Sequence, residues 1–239
     1  MSDAEPYKRA GKGTVVSLFD RIAPVYDRLN RIISWGRDQR WRRDLARCLD
    51  LKAGQVILDI SAGTGDMEPA LKGICPELEV IGLDPSRPMV SLYREKQPNA
   101  EIALGTVEKI PFRDASFARA VCTFGLRNFK DRSTGFKEVN RVLEPGGLWG
   151  FLEMSAPNGT LFPIIYALYF KHLVPLIGAA LSPSPGAYRY LRDSVYAFPE
   201  YDLMVEEHYR AGFGPVYYRP ILRGAVGLYI FKKTGIPST

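Results

Sequence analysis

The sequence has few residues that bind metals or form disulfides. Its 239 residues include only three cysteines and two histidines, spaced far apart along the chain. So few cysteines exclude a disulfide framework, and no Cys/His cluster has the spacing of a zinc site. We therefore expect a site without metal and a reducing, cytoplasmic location.

Long apolar runs are also missing. The first residues lack the apolar core of a signal peptide, and residues 161–181 are interrupted by Pro163, Lys171, His172 and Pro175. We expect no segment that spans a bilayer. With 46% apolar residues, a chain of this length can form one domain with a sizeable core.

Positive charge is unevenly distributed. Residues 21–47 contain eight arginines against three aspartates, a local charge of +5, within a net charge of +6 for the chain. Such a basic segment can bind anionic lipid or nucleic acid, or form the solvated surface of a helix. Charge alone does not distinguish these alternatives.

Strand and helix patterns alternate from about residue 55 onward. Short β-branched runs predict strands at residues 55–60, 79–84, 100–104, 118–122, 148–152, 216–218 and 226–232. Helical spacing occurs at residues 67–72, 88–96 and 132–143, and Glu144-Pro145-Gly146-Gly147 is expected to end the last helix. The fold class that this pattern predicts is α/β, a doubly wound, Rossmann-like, mostly parallel seven-stranded sheet.

We expect a single domain in four parts. Residues 1–52 form a helical N-terminal lid, because apolar residues recur every three or four positions between residues 15 and 49. Residues 53–156 form the cofactor-binding core. Residues 157–200 form a helical, aromatic and proline-rich insertion on the substrate side, and residues 201–239 form a C-terminal helix and strands.

A glycine turn follows the first predicted strand, in Asp59-Ile-Ser-Ala-Gly63-Thr64-Gly65-Asp66. Doubly wound sheets bind ligands at this edge, although a glycine turn can also serve packing alone. A dinucleotide-binding turn has a third glycine at position 68, where this chain has Glu68, and two nearby carboxylates repel a pyrophosphate. The turn instead suits a nucleoside with a cationic end, which describes S-adenosylmethionine.

Asp84 ends the second predicted strand, nineteen residues after Gly65. In nucleotide-binding sheets, an acid at this point accepts hydrogen bonds from the ribose hydroxyls. The alternative is that Asp84 caps the helix that follows. We predict the ribose contact.

Further segments are distinctive: Phe19-Asp-Arg-Ile-Ala-Pro-Val-Tyr-Asp27, Ile110-Pro-Phe-Arg-Asp114, Phe124-Gly-Leu-Arg-Asn128, Arg141-Val-Leu-Glu-Pro-Gly-Gly147, Leu152-Glu-Met-Ser-Ala-Pro157 and Tyr190-Leu-Arg-Asp-Ser194. With the glycine turn, they make the chain resemble the ubiquinone/menaquinone biosynthesis C-methyltransferases, a family of class I S-adenosylmethionine-dependent enzymes. The resemblance covers nearly the whole chain. Phe-Gly-Leu-Arg-Asn is specific to the quinone branch.

The resemblance implies methyl transfer to a ring carbon of a reduced quinone, which leaves S-adenosylhomocysteine as product. It implies cofactor contacts at Asp59, Gly63, Thr64, Gly65, Asp84, Pro85, Thr106, Val107 and Thr123. The acceptor pocket would contain Tyr26, Arg127 and Asn128. Arg127 would stabilise the phenolate, Asn128 would orient the hydroxyl, and Tyr26 would close the site.

Three positions depart from the family pattern. Asp38-Gln39 replaces a His-Arg pair, Thr106 replaces Asn or Asp, and the C-terminal segment reads Gly224-Ala-Val-Gly-Leu-Tyr-Ile-Phe231. The departures leave open another small lipid or phenolic acceptor, or a cofactor-binding regulator without activity. An RNA methyltransferase is a further alternative, but Phe124-Gly-Leu-Arg-Asn128 stands where enzymes acting on base amines have Asn/Asp-Pro-Pro-aromatic. We therefore expect no nucleic-acid partner.

A polyprenyl quinol lies in the bilayer, so we expect peripheral contact with the inner face of the membrane. Residues 161–170 combine tyrosine and apolar side chains, a composition that favours the lipid interface, and the basic segment would bind anionic headgroups. The alternative is that residues 161–170 pack on the sheet or in a homodimer. Cys122, near the site, is expected to be a buried structural thiol.

Overall fold

A computed structural model describes residues 14–174, 176 and 185–235. Residues 1–13 of the predicted lid, residues 175 and 177–184 of the predicted insertion, and residues 236–239 lie outside the described residues. The helices before the sheet are α1 (Thr14–Ile22), a 3-10 turn (Ala23–Val25), α2 (Tyr26–Ile33) and α3 (Asp38–Arg47). The helices between strands are α4 (Glu68–Lys72), α5 (Arg87–Lys96) and α6 (Arg132–Val142), with 3-10 turns at Val107–Lys109 and Leu126–Asn128.

After strand β5 the chain forms α7 (Leu161–Leu168), a π-helical turn (Tyr169–Leu173), α8 (Pro185–Tyr196) and α9 (Tyr201–Arg210). The strands are β1 (Val56–Ile60), β2 (Glu79–Asp84), β3 (Glu101–Leu104), β4 (Phe117–Thr123), β5 (Leu143–Met154), β6 (Phe213–Ile221) and β7 (Val226–Lys233). They form one sheet in the order β3-β2-β1-β4-β5-β7-β6. All pairs are parallel except those that β7 makes with β5 and β6, which confirms the predicted fold.

Alternate residues of the strands face two separate apolar layers. Leu58 and Cys122 belong to one layer, with α6 and α9 packed on it, whereas Ile57 and Val121 belong to the other, with α3 and α4. A strand turns successive side chains to opposite faces, so continuous apolar runs are expected where both faces are covered. The reversal of strand order on either side of β1 and β4 creates a crevice at their carboxyl ends, which is where this fold binds ligands.

Two strands, β5 and β6, are much longer than predicted. β5 begins at Leu143, so Glu144–Gly147, expected to be a turn, forms an irregularity inside the strand, between the pairs Phe117–Leu143 and Arg119–Leu148. β6 extends over both Pro215 and Pro220. Prolines shortened the prediction for β6, but β6 is an edge strand, where missing N–H donors are tolerated.

The continuous helical segment predicted for residues 15–49 is divided into three helices. Pro24 lies in the 3-10 turn after α1, and Trp35 and Gly36 have positive φ angles of 54° and 70° between α2 and α3. A third apolar cluster joins these helices to the segment after β5, with Leu18, Ile22 and Leu29 packed near Phe170 and Val195. No helix among the described residues is long and apolar enough to cross a membrane.

Candidate active site

The turn after β1 brings backbone N–H groups to the carboxyl edge of the sheet. Ser61, Gly63 and Gly65 have positive φ angles of 55°, 58° and 89°. Residues other than glycine adopt such angles only at an energetic cost. A Cβ at position 65 would also come within 3.0 Å of the Tyr93 ring. The turn therefore packs directly against α5, and its shape depends on glycine.

Asp84 holds this turn from the end of β2. Its Oδ2 accepts a hydrogen bond from the Gly63 N–H at 2.8 Å, and its Oδ1 accepts one from the Ser86 N–H at 2.9 Å. Burial raises the pKa of Asp84 to about 6, against the lowering effect of the two backbone donors. The helix cap that was the alternative role belongs to Ser86, whose hydroxyl accepts from the Met89 N–H.

A cavity of about 430 Å³ opens beside Asp84. Among the predicted residues, its wall contains Gly63, Asp84, Pro85, Thr106, Val107 and Thr123, together with Tyr26 and Asn128. Val15, Val16 and Phe19 of α1 also line it, so the first helix covers the site. Asp59, Thr64 and Gly65 are not on this wall.

The carboxylates near the turn are placed differently from the prediction. Glu68 is buried and accepts hydrogen bonds from the Tyr93 hydroxyl at 2.8 Å and from Lys72 at 2.6 Å. Asp66 forms ion pairs with Arg31 at 3.2 Å and Lys96 at 3.4 Å. Of the two carboxylates that were expected to favour a cationic ligand, Glu68 is thus directed into the protein by the first turn of α4 and pairs with Tyr93 and Lys72.

Asp59 is the remaining acid of the motif. Both of its carboxyl oxygens are buried without a hydrogen-bond partner among the described residues. Burial raises the pKa of Asp59 to about 8, although the Arg42 guanidinium lowers it. Within those residues, no group of three or more His, Cys, Asp or Glu side chains has the arrangement of a metal site.

Thr64 connects the turn to the N-terminal helices. Its hydroxyl donates to Asp27 Oδ1, and Lys96 contacts both the other oxygen of Asp27 and Thr64 Oγ1, the latter at 3.0 Å. Ser86, at the end of β2, donates in turn to Asp20 of α1 at 2.6 Å. The N-terminal helices are thus attached to the cofactor side of the site by polar contacts at two points.

A second, smaller cavity of about 260 Å³ adjoins the first. Phe124, which follows β4, lines both cavities, so the two meet at this residue. The smaller cavity is walled mainly by apolar and aromatic side chains from α2, β5 and α7, and it contains Arg127. Its volume is near the lower limit for small-molecule sites.

Backbone geometry at the end of β4 is unusual. Phe124 has a φ angle of +62°, and a Cβ on Gly125 would come within 2.5 Å of the Ser61 Cβ. Bulky residues rarely adopt positive φ, and such outliers persist where the surrounding structure holds them. The glycine of Phe-Gly-Leu-Arg-Asn is therefore required by the close approach of the turns after β1 and β4.

Arg127 is held by Glu153, a residue to which the sequence assigned no role. Glu153 is fully buried at the end of β5 and forms an ion pair with the Arg127 guanidinium. It also accepts from the backbone N–H groups of Arg127 and Met154, at 2.9 and 2.8 Å. The sequence feature that could have identified Glu153 is its position as a lone acid in the apolar run Leu148-Trp-Gly-Phe-Leu-Glu153. The Arg127 side chain is only 7% exposed, so this is a buried ion pair and not a surface salt bridge.

Asn128 and Tyr26 both line the larger cavity. Tyr190 of α8 donates a hydrogen bond to Asn128 Oδ1 at 2.9 Å, which directs the amide group of Asn128. Burial raises the pKa of Tyr26, so its hydroxyl is protonated at neutral pH. Cys122 is buried as expected, and burial raises the pKa of its thiol well above the usual value.

The basic segment is less exposed than its composition implied. Arg42 is buried, pairs with buried Asp38 at 2.7 Å and lies over the Phe124 ring, 5.4 Å from its centroid. Arg31 forms ion pairs with Asp38 and Asp66. These two arginines are therefore held by ion pairs within the protein, and the exposed basic surface consists of Arg21, Arg28, Arg37, Arg40, Arg43 and Arg47.

Comparison with known proteins gives concordant matches. Residues 7–233 match the ubiE/COQ5 methyltransferase family. A demethylmenaquinone methyltransferase of Deinococcus radiodurans is 39% identical over 227 residues, which are 93% of this chain and 94% of that protein. The ubiquinone/menaquinone biosynthesis C-methyltransferase UbiE of Geobacter sulfurreducens is 37% identical over 235 residues, 95% and 91% of the two chains.

Solved structures of low identity share the fold. A SAM-dependent methyltransferase from Aquifex aeolicus has a TM-score of 0.62 at 14% identity, over 87% of this chain and 97% of that one. The [4+2]-cyclase SpnF has a TM-score of 0.64 at 15% identity, over 95% and 97%. A cyclase and a methyltransferase with one architecture show that the fold does not decide the chemistry.

Proposed function

Because the chain belongs to the ubiE/COQ5 methyltransferase family and is therefore a methyltransferase, we propose that it transfers a methyl group from S-adenosylmethionine to a ring carbon of a reduced quinone. The observation that carries the proposal is the pair of cavities that share Phe124 as a wall residue. One has a nucleoside-type wall with Asp84, and the other has an aromatic wall with Arg127. S-adenosylhomocysteine is the expected second product.

The larger cavity fits the cofactor. Asp84 uses one lone pair on each oxygen for backbone donors and keeps others for two ribose hydroxyls. Leu83, Met89 and Val107 supply an apolar wall for a base, beside Thr106. When bound, the cofactor supplies an electrophilic methyl group on a sulfonium. We propose Gly63, Pro85 and Thr123 as further contacts, and Asp59, Thr64 and Gly65 as residues that shape the turn from behind this wall.

The proposed residues for the acceptor are Arg127, which lines the smaller cavity, and Asn128 and Tyr26, which line the larger cavity that shares Phe124 with it. Orientation of the ring against the methyl group can supply much of the rate, and a positive group stabilises the phenolate that makes the ring carbon nucleophilic. Arg127 has this role without acting as a base, since a guanidinium stays protonated. Its ion pair with Glu153 fixes its position. Asn128 orients the ring hydroxyl through its NH₂ group, because its oxygen is used by Tyr190.

The acceptor's tail favours contact with a membrane surface. Leu161, Ile164, Ile165 and Leu168 of α7 are each more than half exposed, and Ile165 also lines the smaller cavity. We refer to these four residues as the α7 patch. An exposed apolar patch that is continuous with a ligand cavity suits a substrate whose tail remains in lipid. We propose that the α7 patch and the solvated arginines dock the enzyme on the anionic inner face of the membrane.

A different phenolic acceptor is the second candidate. Asp38, which stands where the family has a histidine, is on the wall of the smaller cavity. The charge of Asp38 is compensated there by ion pairs with Arg42 and Arg31. The departure therefore falls on the acceptor side of the site, whereas Thr106 falls on the cofactor side.

One experiment decides between the acceptors. The protein is incubated with S-adenosylmethionine labelled in the methyl group and either a cell lipid extract or total RNA, and the labelled product is identified by mass. A methylated quinol is the expected product. Label in another phenolic lipid supports the second candidate, label in RNA contradicts both, and cofactor binding without any transfer supports a regulator that has lost its activity.

A further inference from the structure

Three buried polar groups on the wall of the smaller cavity are unpaired. The Tyr166 hydroxyl, Arg127 Nε and Asn30 Nδ2 have no hydrogen-bond partner among residues 14–174, 176 and 185–235, and all three residues line this cavity. Buried polar atoms nearly always have a partner, and an unpaired one is destabilising. Unpaired donors at one cavity indicate a ligand that accepts hydrogen bonds there, and Tyr166 and Arg127 are the two considered for one ligand atom.

Tyr166 is close to the charged pair at the end of β5. It lies on α7, and its hydroxyl is influenced electrostatically by both Arg127 and Glu153. Burial raises the pKa of this hydroxyl, so it carries its proton at neutral pH and can donate it in a hydrogen bond. A donor of this kind is suited to a ring oxygen that gains negative charge, because the hydrogen bond strengthens as the charge develops.

We propose that Tyr166 is a specificity-determining residue that binds one oxygen substituent of the acceptor ring, together with Arg127 Nε. The inference rests on the proposed function, and it adds a residue from the segment after β5 to the acceptor site. The ring would lie in the smaller cavity among side chains such as Met154 and Phe162, with its tail leaving along Ile165 onto the α7 patch. A ring that carries this oxygen is then preferred, because only the oxygen accepts hydrogen bonds from the two donors.

Tyr169 provides a matched control. It lines the same cavity, but its hydroxyl already donates to the Ile33 carbonyl oxygen at 2.9 Å. Tyr166→Phe removes an unpaired hydroxyl, so the melting temperature of the free protein should stay the same or rise. Tyr169→Phe removes a hydrogen bond between α2 and the segment after β5, so the melting temperature should fall.

The test compares two acceptors of similar shape. The probes are a reduced naphthoquinone with a short prenyl tail and the corresponding naphthol that lacks one ring oxygen. Equilibrium binding of each probe is measured in the presence of S-adenosylhomocysteine, and kcat/KM is measured with labelled cofactor. For Tyr166→Phe we expect about tenfold weaker binding of the naphthoquinol, with unchanged cofactor affinity and with little change for the naphthol. Tyr169→Phe should retain the preference for the naphthoquinol.

The results separate this inference from the proposed function. If the wild type binds the naphthoquinol but does not methylate it, the proposed reaction fails, while the binding ratio of Tyr166→Phe to wild type still decides the role of Tyr166. Equal naphthoquinol binding by both proteins overturns the inference. Equal losses on both probes, together with a lower melting temperature, also overturn it, because they indicate a structural role.

Discussion

Glu153 Oε2 accepts a hydrogen bond from the backbone N–H of Arg127 at 2.9 Å, while Glu153 Oε1 forms an ion pair with the guanidinium of the same residue. One carboxylate therefore fixes both the backbone and the side chain of Arg127. Because Glu153 is fully buried, removal of Arg127 leaves a charge without a partner in the protein interior. Stability and turnover are thus coupled at this pair.

Arg127→Leu is expected to lower both the free energy of unfolding and turnover. Breaking a buried ion pair by removal of one partner destabilises by about 3–5 kcal/mol, and loss of one electrostatic stabiliser lowers turnover by roughly a hundredfold. In Arg127→Leu/Glu153→Gln the stability should largely return, since no charge is left unpaired. Urea unfolding and single-turnover methyl transfer measure the two effects. If turnover returns together with stability, Arg127 has only a structural role.

Cofactor affinity should depend on the ionisation of Asp84. Burial raises the pKa of Asp84 to about 6, so the carboxylate becomes protonated as the pH falls from 7 to 5 and accepts ribose hydroxyls less well. Affinity for S-adenosylhomocysteine should therefore fall in that range, by up to about tenfold per pH unit. Asp84→Asn should bind more than tenfold more weakly, a loss of about 2 kcal/mol, and without this pH dependence. Calorimetric titration at several pH values tests this, and a flat wild-type profile would contradict the ribose assignment.

Asp59 should make the folded state less stable as pH rises. Its pKa is about 8 in the folded protein against an ordinary 3.8, so the unfolded chain loses this proton near pH 4 while the folded protein keeps it. The contribution of Asp59 to the free energy of unfolding therefore decreases between pH 4 and pH 8, by up to about 1.4 kcal/mol per pH unit. Asp59→Asn should be more stable than wild type at pH 8 and differ less at pH 5. Denaturant unfolding at both values measures this, and the same difference at both would show that ionisation is not the cause.

Asp27→Asn should loosen the attachment of the N-terminal helices over the cofactor. Asp27 contacts both Thr64 and Lys96, and the exposed ion pair is worth less than about 1 kcal/mol to overall stability. We expect cofactor release that is several-fold faster, with little change in melting temperature. The control is Asp44→Asn, a variant in α3 that removes the ion pairs of Asp44 with Arg47 and Arg219. Stopped-flow release rates that match in wild type and Asp27→Asn would show that these helices do not retain the cofactor.

Membrane docking should depend on both charge and the α7 patch. We expect sedimentation with anionic vesicles at low salt, with each surface arginine contributing up to about 1 kcal/mol and less as salt rises. Arg40→Gln/Arg43→Gln should weaken the salt-sensitive part, and Ile164→Glu should remove binding. Leu203→Glu, at an exposed leucine on α9, is the matched control. If Ile164→Glu instead converts a dimer to a monomer and no protein sediments, the α7 patch is a homodimer interface.

Local sequence patterns determined much of the fold. The predicted strand at residues 79–84 is β2, and the predicted helix at 88–96 is α5 apart from one residue. The glycine turn and Asp84 were placed correctly at one edge, because alternation and turn preferences depend on residues that are neighbours in the chain.

The tertiary structure alone decided which side chains are paired. Arg127, in the turn after β4, pairs with Glu153 of β5, and Asn128 binds Tyr190 from the segment after β5. Glu68 contacts Tyr93 and does not face the glycine turn. A periodic sequence pattern does not predict such partners, because they are brought together by the packing of elements that are distant in sequence. The same holds for Tyr166, whose unpaired hydroxyl becomes visible only when α7 is packed beside Arg127.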